Sequence, residues 1–297
     1  MIEEEEFPDS FMLTILHMIW KGKGPAEILG NNRFIHMKDY LPRTCEALVV
    51  SKMKDDILKA SSIYQIGGQP GHFPEELLVV LKSVIARQIS VNWGVIFFLM
   101  DIVKFFDKED IYDVMQTLHD VQVNAKASRV WFKLNANTRV KVKTAVGVSE
   151  VAEVGDCLGQ GSSGGALVSR VNLDHGLQSY FSSSTDEVCY GGVRVLPLAY
   201  QDDVSRVSKS VSDARVGIVK LAAMLQDKGL EAHPDKTCFI VMGTKQFKEQ
   251  AMKEIESCPF MFGEFQVKQK EADKYLGQMI HEDGLGRSAE ATVEDRR

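Results

Sequence analysis

The sequence predicts an α+β fold, and three observations carry that expectation. Two short apolar runs, 95–100 and 193–198, each end near carboxylates, Asp101 and the Asp202-Asp203 pair, as buried strands that stop at a polar tip do. Around them, residues 43–59, 74–88 and 211–227 place apolar side chains at helical spacing. Strand and helix periods therefore alternate along one chain.

In chain order, residues 11–20 read as a buried helix with Asp9 or Ser10 in reach of its cap, ended by Lys21-Gly22-Lys23-Gly24-Pro25. Asn31-Asn32-Arg33-Phe34-Ile35 follows as a cationic loop, with Lys38 and Arg43 nearby. Leu48, Val49, Met53, Ile57 and Leu58 then fit one face of an amphipathic helix. Gln65-Ile66-Gly67-Gly68-Gln69-Pro70-Gly71-His72 is a flexible loop without the Gly-Lys-Ser/Thr ending of a phosphate-cradling loop. Pro74-Glu75-Glu76 starts a helix, with proline at an early position and acids at the positive end of the dipole. After the strand that ends at Asp101, Asp107 is placed to cap a helix reaching Leu118.

Between 124 and 147 stand Lys126, Arg129, Lys133, Arg139, Lys141 and Lys143 with no acid among them. A largely apolar run at 130–134 and an alternating one at 139–143 flank Asn135-Ala136-Asn137-Thr138, so a basic hairpin is expected there. In a net-acidic chain it is either the phosphate-facing surface or a solvated cationic face. Gly159-Gln160-Gly161-Ser162-Ser163-Gly164-Gly165 permits close backbone approach and leads into a helix. Beyond the acid pair come a helix over 211–227, a strand over 238–242, a helix over 245–257 and short strands within 260–267 and 275–280.

The acids carry the chemistry. Two neighbouring carboxylates repel by roughly 4 kcal/mol at ~4 Å and an effective dielectric near 20, so a strand tip that keeps both calls for a cation. Magnesium, with manganese as its substitute, is the hard ion that takes carboxylate oxygens and bridges to phosphates. Asp101 is the candidate third acid for a site holding two such ions.

Composition bounds the rest. At 297 residues, 44% hydrophobic and 26% charged, the chain is an ordinary globular protein of one or two domains. Its formal net charge of −6 excludes coating nucleic acid by bulk positive charge while leaving room for a local basic groove. Five scattered cysteines, with no Cys-x-x-Cys pair, suggest neither zinc nor a disulfide framework. The start, Met1-Ile2 followed by Glu3 to Glu6, lacks signal-peptide character, and no apolar run approaches ~18 residues. The expectation is a soluble, unsecreted protein of a reducing compartment, without a membrane partner.

Taken together, Asp101 with Phe106, Gln160-Gly161, Tyr200-Gln201-Asp202-Asp203, Gly229-Leu230 followed by Lys236-Thr237, and Tyr275-Leu276-Gly277 resemble, in this order, the reverse transcriptases of non-LTR retrotransposons. Asn32-Arg33-Phe34-Ile35 and Gln65-Ile66-Gly67-Gly68-Gln69-Pro70-Gly71 look like that family's fingers segments, so the resemblance covers about residues 20 to 284.

It implies a polymerase palm, an antiparallel sheet with the acids on its edge and helices on one face, with partial fingers. The domains would be an upstream remnant over 1–20, fingers over 21–93, a palm over 94–284 with the basic hairpin as an insertion, and a tail over 285–297. It implies that Asp101, Asp202 and Asp203 hold two magnesium ions, Asp101 and Asp202 being the stronger ligands and Asp203 shaping the tip. Lys236 matches a lysine that assists pyrophosphate departure, and Phe106 an aromatic that disfavours ribonucleotides. Gln160, Gly161 and Tyr200 match segments that support nucleotide and template. Arg33 matches a fingers cation facing the triphosphate, and Lys21 could do similar work.

The implied partners are an RNA template, a DNA primer and deoxynucleoside triphosphates. The chain departs from the family at Gly165-Ala166, where Ser-Pro is usual, and at His233, where asparagine is frequent. Few residues follow Gly277, so the thumb and the endonuclease of a full element are expected to be missing. Two rivals remain: an RNA-templated RNA polymerase, against which Phe106 speaks, and a retroelement remnant without catalysis.

Overall fold

A computed structural model describes residues 2–144, 147–154, 157–182 and 188–283; the expected tail, 285–297, lies outside the described residues. The chain begins with β1 (Leu13–Trp20), β2 (Asn32–Lys38), α1 (Tyr40–Ala60), α2 (Pro74–Asn92) and β3 (Gly94–Asp101). Next come α3 (Phe105–Lys108), α4 (Ile111–Asp120), α5 (Ala125–Asn135), β4 (Arg139–Thr144), β5 (Gly147–Val148), β6 (Ala152–Glu153) and α6 (Gly165–Phe181). The last part holds β7 (Cys189–Tyr190), β8 (Val193–Arg194), β9 (Leu198–Tyr200), β10 (Asp203–Ser208), α7 (Val211–Asp227), β11 (Cys238–Gly243) and α8 (Lys245–Ser257). It closes with β12 (Met261–Phe262), β13 (Phe265–Gln266), β14 (Lys268–Gln269), β15 (Ala272–Tyr275) and β16 (Gln278–His281). Two compact units divide these elements.

The first unit takes Met1–Ser61 and Lys104–Asn172. Its sheet runs β2-β1-β4-β5, with β6 beside β4. β1 pairs antiparallel with β2, Trp20 opposite Asn32, and parallel with β4, Leu13 opposite Arg139. The helix expected over 11–20 and the loop expected at 31–35 are both strands. A nearly continuous apolar run carries no period that separates helix from strand. Thr14, Ile15 and Ile19 are β-branched and favour the pleated form once partner strands offer hydrogen bonds.

The hairpin expected over 124–147 is also corrected, to α5 followed by β4. Ala127, Val130, Trp131 and Leu134 are all buried on α5. That is a helical period the fragment 130–134 is too short to display. Asn124 caps the helix, its side chain accepting from the Ala127 N–H at 2.9 Å.

α1 buries Cys45, Val49, Met53 and Ile57 in a core with Val114 and Leu118 of α4 and Trp131 and Leu134 of α5. Leu48, expected on the same face, is exposed. The helix expected from Asp107 to Leu118 is broken between α3 and α4. Asp110, not Asp107, caps the longer piece by accepting from the Tyr112 N–H at 2.8 Å.

The second unit takes Ser62–Val103 and Leu173–Arg297. Its sheet runs β14-β11-β3-β10-β9, and β3 pairs antiparallel with both β10 and β11. Phe97 and Leu99 of β3, Val207 of β10 and Ile240 of β11 pack with Leu77, Leu81 and Ile85 of α2. On the opposite face Phe98 stacks on Phe262 with ring centroids 6.1 Å apart, Phe239 meets Phe260 edge-on at 5.0 Å, and α7 lies over β10 and β3. Helices thus cover both faces rather than one. β3 is apolar from Val95 to Met100, the pattern of a strand dry on both sides.

α7 and α8 start at side-chain caps: Ser210 accepts from the Asp213 N–H at 3.1 Å and Thr244 from the Phe247 N–H at 3.3 Å. The strand expected over 193–198 is interrupted. β8 pairs with β7, and β9 begins only after Pro197, which has no N–H to give a ladder. Among the described residues, no helix is long and apolar enough to cross a membrane.

Candidate active site

Register brings the acids together in the second unit. β10 runs antiparallel to β3 with Asp203 directly opposite Asp101 and Val204 opposite Met100. β9 and β10 form a hairpin in which Tyr200 faces Asp203, leaving Gln201 and Asp202 as a two-residue turn. The acids therefore sit at one end of the central strands, not on a lateral edge. Gln201 holds the left-handed conformation such a turn demands, with φ +55°. The segment after β3 is tied down too: the Ile102 N–H donates to the Asp202 carbonyl at 3.3 Å and the His233 N–H to the Asp101 carbonyl at 2.8 Å.

Lys236 enters this end from the turn before β11. Its Nζ donates to Asp101 Oδ1 at 3.0 Å and to Oδ2 at 2.9 Å, while its own side chain is 58% exposed. The Asp203 carboxyl is pushed up to about 7, first by burial and then by the charges of Asp202 and Asp101, against a smaller opposing pull from Lys236. The site is short of positive charge. Three carboxylates are the hard-oxygen donor set that magnesium takes, and two of them are register partners. As the side chains stand, no group of three or more His, Cys, Asp or Glu among the described residues converges as a metal cage would, and Asp101 is turned to Lys236.

A cleft of about 120 Å³ opens beside the acids, lined by Asp101, Asp203, Lys236, Lys270, Asp273 and Tyr275 among others. Lys270 Nζ donates to Asp273 Oδ2 at 2.8 Å, and the Cys238 thiol donates to the same oxygen at 3.1 Å. Burial, then the hydrogen bond to Asp273, raise the Cys238 thiol far above its ordinary range, so it remains protonated. Tyr275 is buried edge-on to Phe97, and its hydroxyl meets Ser205 Oγ at 3.1 Å. Lys270 and Asp273 carry no local sequence signal that marks them.

The remaining sequence candidates belong to the first unit. Arg33 lies exposed on β2 opposite Ile19. Phe106, on α3, packs against that unit's core with its ring 5.4 Å from Phe105. The Gln160 carbonyl accepts from the His36 N–H at 2.7 Å. Gly161, at φ +118°, lies so close to β2 that a Cβ there would meet the His36 carbonyl oxygen at 2.7 Å, which accounts for the glycine. Burial first, then the nearby Lys38 charge, lower the His36 imidazole to about 4.

The basic residues divide. Lys126, Arg129 and Lys133 run along α5 and meet N-terminal acids: Lys126 reaches Glu3 at 2.6 Å, and Arg129 and Lys133 reach Glu5 at 2.9 and 3.6 Å. These contacts, chiefly the hydrogen bonds from Lys126 and Arg129, hold the Glu3 and Glu5 carboxyls below their usual range. Arg139 donates to the Asp9 carbonyl at 2.7 Å. Arg139, Lys141 and Lys143 alternate along β4 and so share a strand face.

An antiparallel sheet with paired helices and acids at a hairpin tip is a palm-type architecture, and the fold is that of a reverse-transcriptase-like polymerase. Among solved structures the chain is similar to apo telomerase from Candida tropicalis, with TM-score 0.61 and 10% identity over 94% of this chain and 50% of that one. It is similar to the same telomerase truncated from its C-terminal domain, with TM-score 0.58 and 10% identity over 93% and 55%. A third likeness is to telomerase from Candida albicans in complex with a TWJ fragment of telomeric RNA, with TM-score 0.54 and 12% identity over 93% and 46%. At such identities the likeness is one of fold, and the chain spans about half the length of these structures. No protein-family model matches the sequence, and no curated protein sequence matches it.

Proposed function

We propose that this chain is the fingers and palm portion of a reverse transcriptase of the non-LTR retroelement kind, extending a DNA primer on an RNA template from deoxynucleoside triphosphates. The observation that carries the reading is the meeting of Asp101 and Asp203 in register, with Asp202 in the adjoining turn, at a site short of positive charge. Two magnesium ions held there would activate the primer 3′ hydroxyl and steady the departing pyrophosphate. Asp101 and Asp202 are the principal ligands, and Asp203 shapes the tip. Lys236, which donates to Asp101, would neutralise charge on the leaving pyrophosphate were a cation to take its place on that carboxylate. Phe106 disfavours the ribose 2′ hydroxyl, while Arg33, Gln160, Gly161 and Tyr200 support the incoming nucleotide and template.

Primer extension on an RNA template with deoxynucleotides and magnesium tests the proposal. The wild-type chain extends the primer, ribonucleotides are poorly used, and Asp202→Asn abolishes incorporation. Equal activity in Asp202→Asn would overturn the ligand assignment.

The competing reading, a remnant without catalysis, is favoured by one observation: Lys236 Nζ donates to both Asp101 carboxylate oxygens. A folded chain that neither binds manganese nor extends a primer supports that reading instead.

A further inference from the structure

Gln65 lies in the glycine-rich loop ahead of α2, more than a hundred positions from the acids it serves, and is wholly buried. Its Oε1 accepts from the Gln201 N–H at 3.1 Å and from the Gly67 N–H at 3.1 Å, while its Nε2 donates to the Gln201 carbonyl at 3.0 Å. One side-chain amide thus reads both backbone groups of the first residue of the acid turn. The surrounding backbone reinforces the contact. Gln65 bridges Ala199 in parallel, the Ala199 N–H donates to the Tyr64 carbonyl at 2.7 Å, and the Ile66 N–H donates to the Ala199 carbonyl at 3.3 Å, so residues 64–66 extend the sheet beyond β9. A Cβ on Gly67 would fall onto the Gln201 nitrogen and the Tyr200 carbonyl carbon, so only glycine lets the loop close on the turn.

A two-residue turn that holds a non-glycine residue at positive φ and carries adjacent carboxylates is under both conformational and electrostatic load. Left alone it would sample other conformations. We infer that Gln65 is a positioning residue: its amide clasps the Gln201-Asp202 turn and fixes where Asp202 and Asp203 present their carboxylates for nucleotidyl transfer. The inference rests on the polymerase reading above and adds a residue that does not touch substrate or metal. Because the amide grips backbone, the requirement is for carboxamide chemistry at position 65, not for a particular side chain at 201.

The test uses the full chain with Gln65→Met, which keeps length and apolar packing but removes donor and acceptor. Gln65→Glu is the second variant, keeping the size and the acceptor while losing the donor to Gln201. Two readouts are taken. Amide hydrogen exchange at Gln201 is expected to rise about tenfold in Gln65→Met, as loss of one backbone-directed hydrogen bond implies, while amides of β3 keep their protection.

In primer extension, kcat is expected to fall by about two orders of magnitude at unchanged KM for the deoxynucleotide, since misplaced catalytic groups act on the chemical step. Gln65→Glu is expected to fall between wild type and Gln65→Met in both. A residue that merely fills the core would instead lower the protection of β3 together with that of the turn. Unchanged Gln201 exchange in Gln65→Met overturns the clasp. Raised exchange with unchanged kcat overturns its catalytic role. A wild-type chain that extends no primer overturns the polymerase reading and this role with it. That failure is distinguished by wild-type inactivity, because in the other two the wild-type chain is active.

Discussion

Replacing Asp213 with alanine leaves the Arg206 guanidinium buried behind β10 without a counter-charge. Arg206 is 6% exposed and Asp213 4%. Arg206 Nη2 donates to Asp213 Oδ1 at 2.6 Å, Nη1 donates to the Asp213 carbonyl at 3.1 Å and to Ser208 Oγ, and the guanidinium lies 5.7 Å from the centre of the Phe181 ring. α7 presses on the same group, since a Cβ on Gly217 would meet Arg206 Cζ at 2.5 Å. For a charge this deeply buried, removing one partner of the pair costs ~3–5 kcal/mol. The retained bonds to Ser208 and to the 213 carbonyl put Asp213→Ala at the low end, ~3 kcal/mol.

Hydrogen exchange of β10 and α7 amides reads this locally, as roughly a hundredfold loss of protection. Arg206→Met alone should be similarly destabilised, because it strands the Asp213 carboxylate. The double variant Arg206→Met/Asp213→Ala should recover at least ~1.5 kcal/mol of the summed losses, within the range typical of coupled neighbours. The pair's role would be refuted by a loss below ~1 kcal/mol in Asp213→Ala, a value typical of an exposed pair, or by strict additivity in the double variant. Because Asp203 is the first residue of β10, the same loosening should appear as reduced primer extension at normal template binding.

Two further outcomes follow from the first unit. Burial, and to a lesser degree Lys38, lower the His36 imidazole to about 4, so the unfolded chain takes up this proton near 6.5 while the folded chain does not. The stability present above pH 6.5 is therefore lost as pH falls towards 4, by up to ~1.4 kcal/mol per pH unit from this group. His36→Gln should flatten that part of a melting-temperature profile, and an unaltered profile would refute the assignment. Glu5→Gln should remove the counter-charge from Arg129 and Lys133 on the exposed face of α5, although Lys133 keeps its bond to the residue-5 carbonyl at 3.0 Å, strengthening binding to a short RNA at low salt while melting changes little. RNA affinity equal to wild type would mean that this face does not contact phosphate.

Much of the second unit was legible in the sequence. β3 and the acid tip announce themselves as apolar runs ending in carboxylates, and the helices over 211–227 and 245–257 match α7 and α8 because their period and their caps, Ser210 and Thr244, act within a turn or two of chain. Residues 11–20 and 124–135 were misread for the converse reason. An apolar run without a period becomes β1 only because β2 and β4 pair with it, and the short run inside α5 hides its period until Ala127, Val130, Trp131 and Leu134 are seen packed together.

The sequence by itself supplied the residue types: three carboxylates, a lysine before a strand, a glutamine and glycine in a loop. Tertiary structure alone decided that Asp101 faces Asp203, that Lys236 closes on Asp101, that Gln65 grips the turn, and that Glu3 and Glu5 cover the cations of α5. Caps and hydrophobic period are short-range forces written into neighbouring residues. Ion pairing joins residues up to 135 positions apart and strand register reaches farther still, and only the packed core, which sets how the strands align, determines which of them meet.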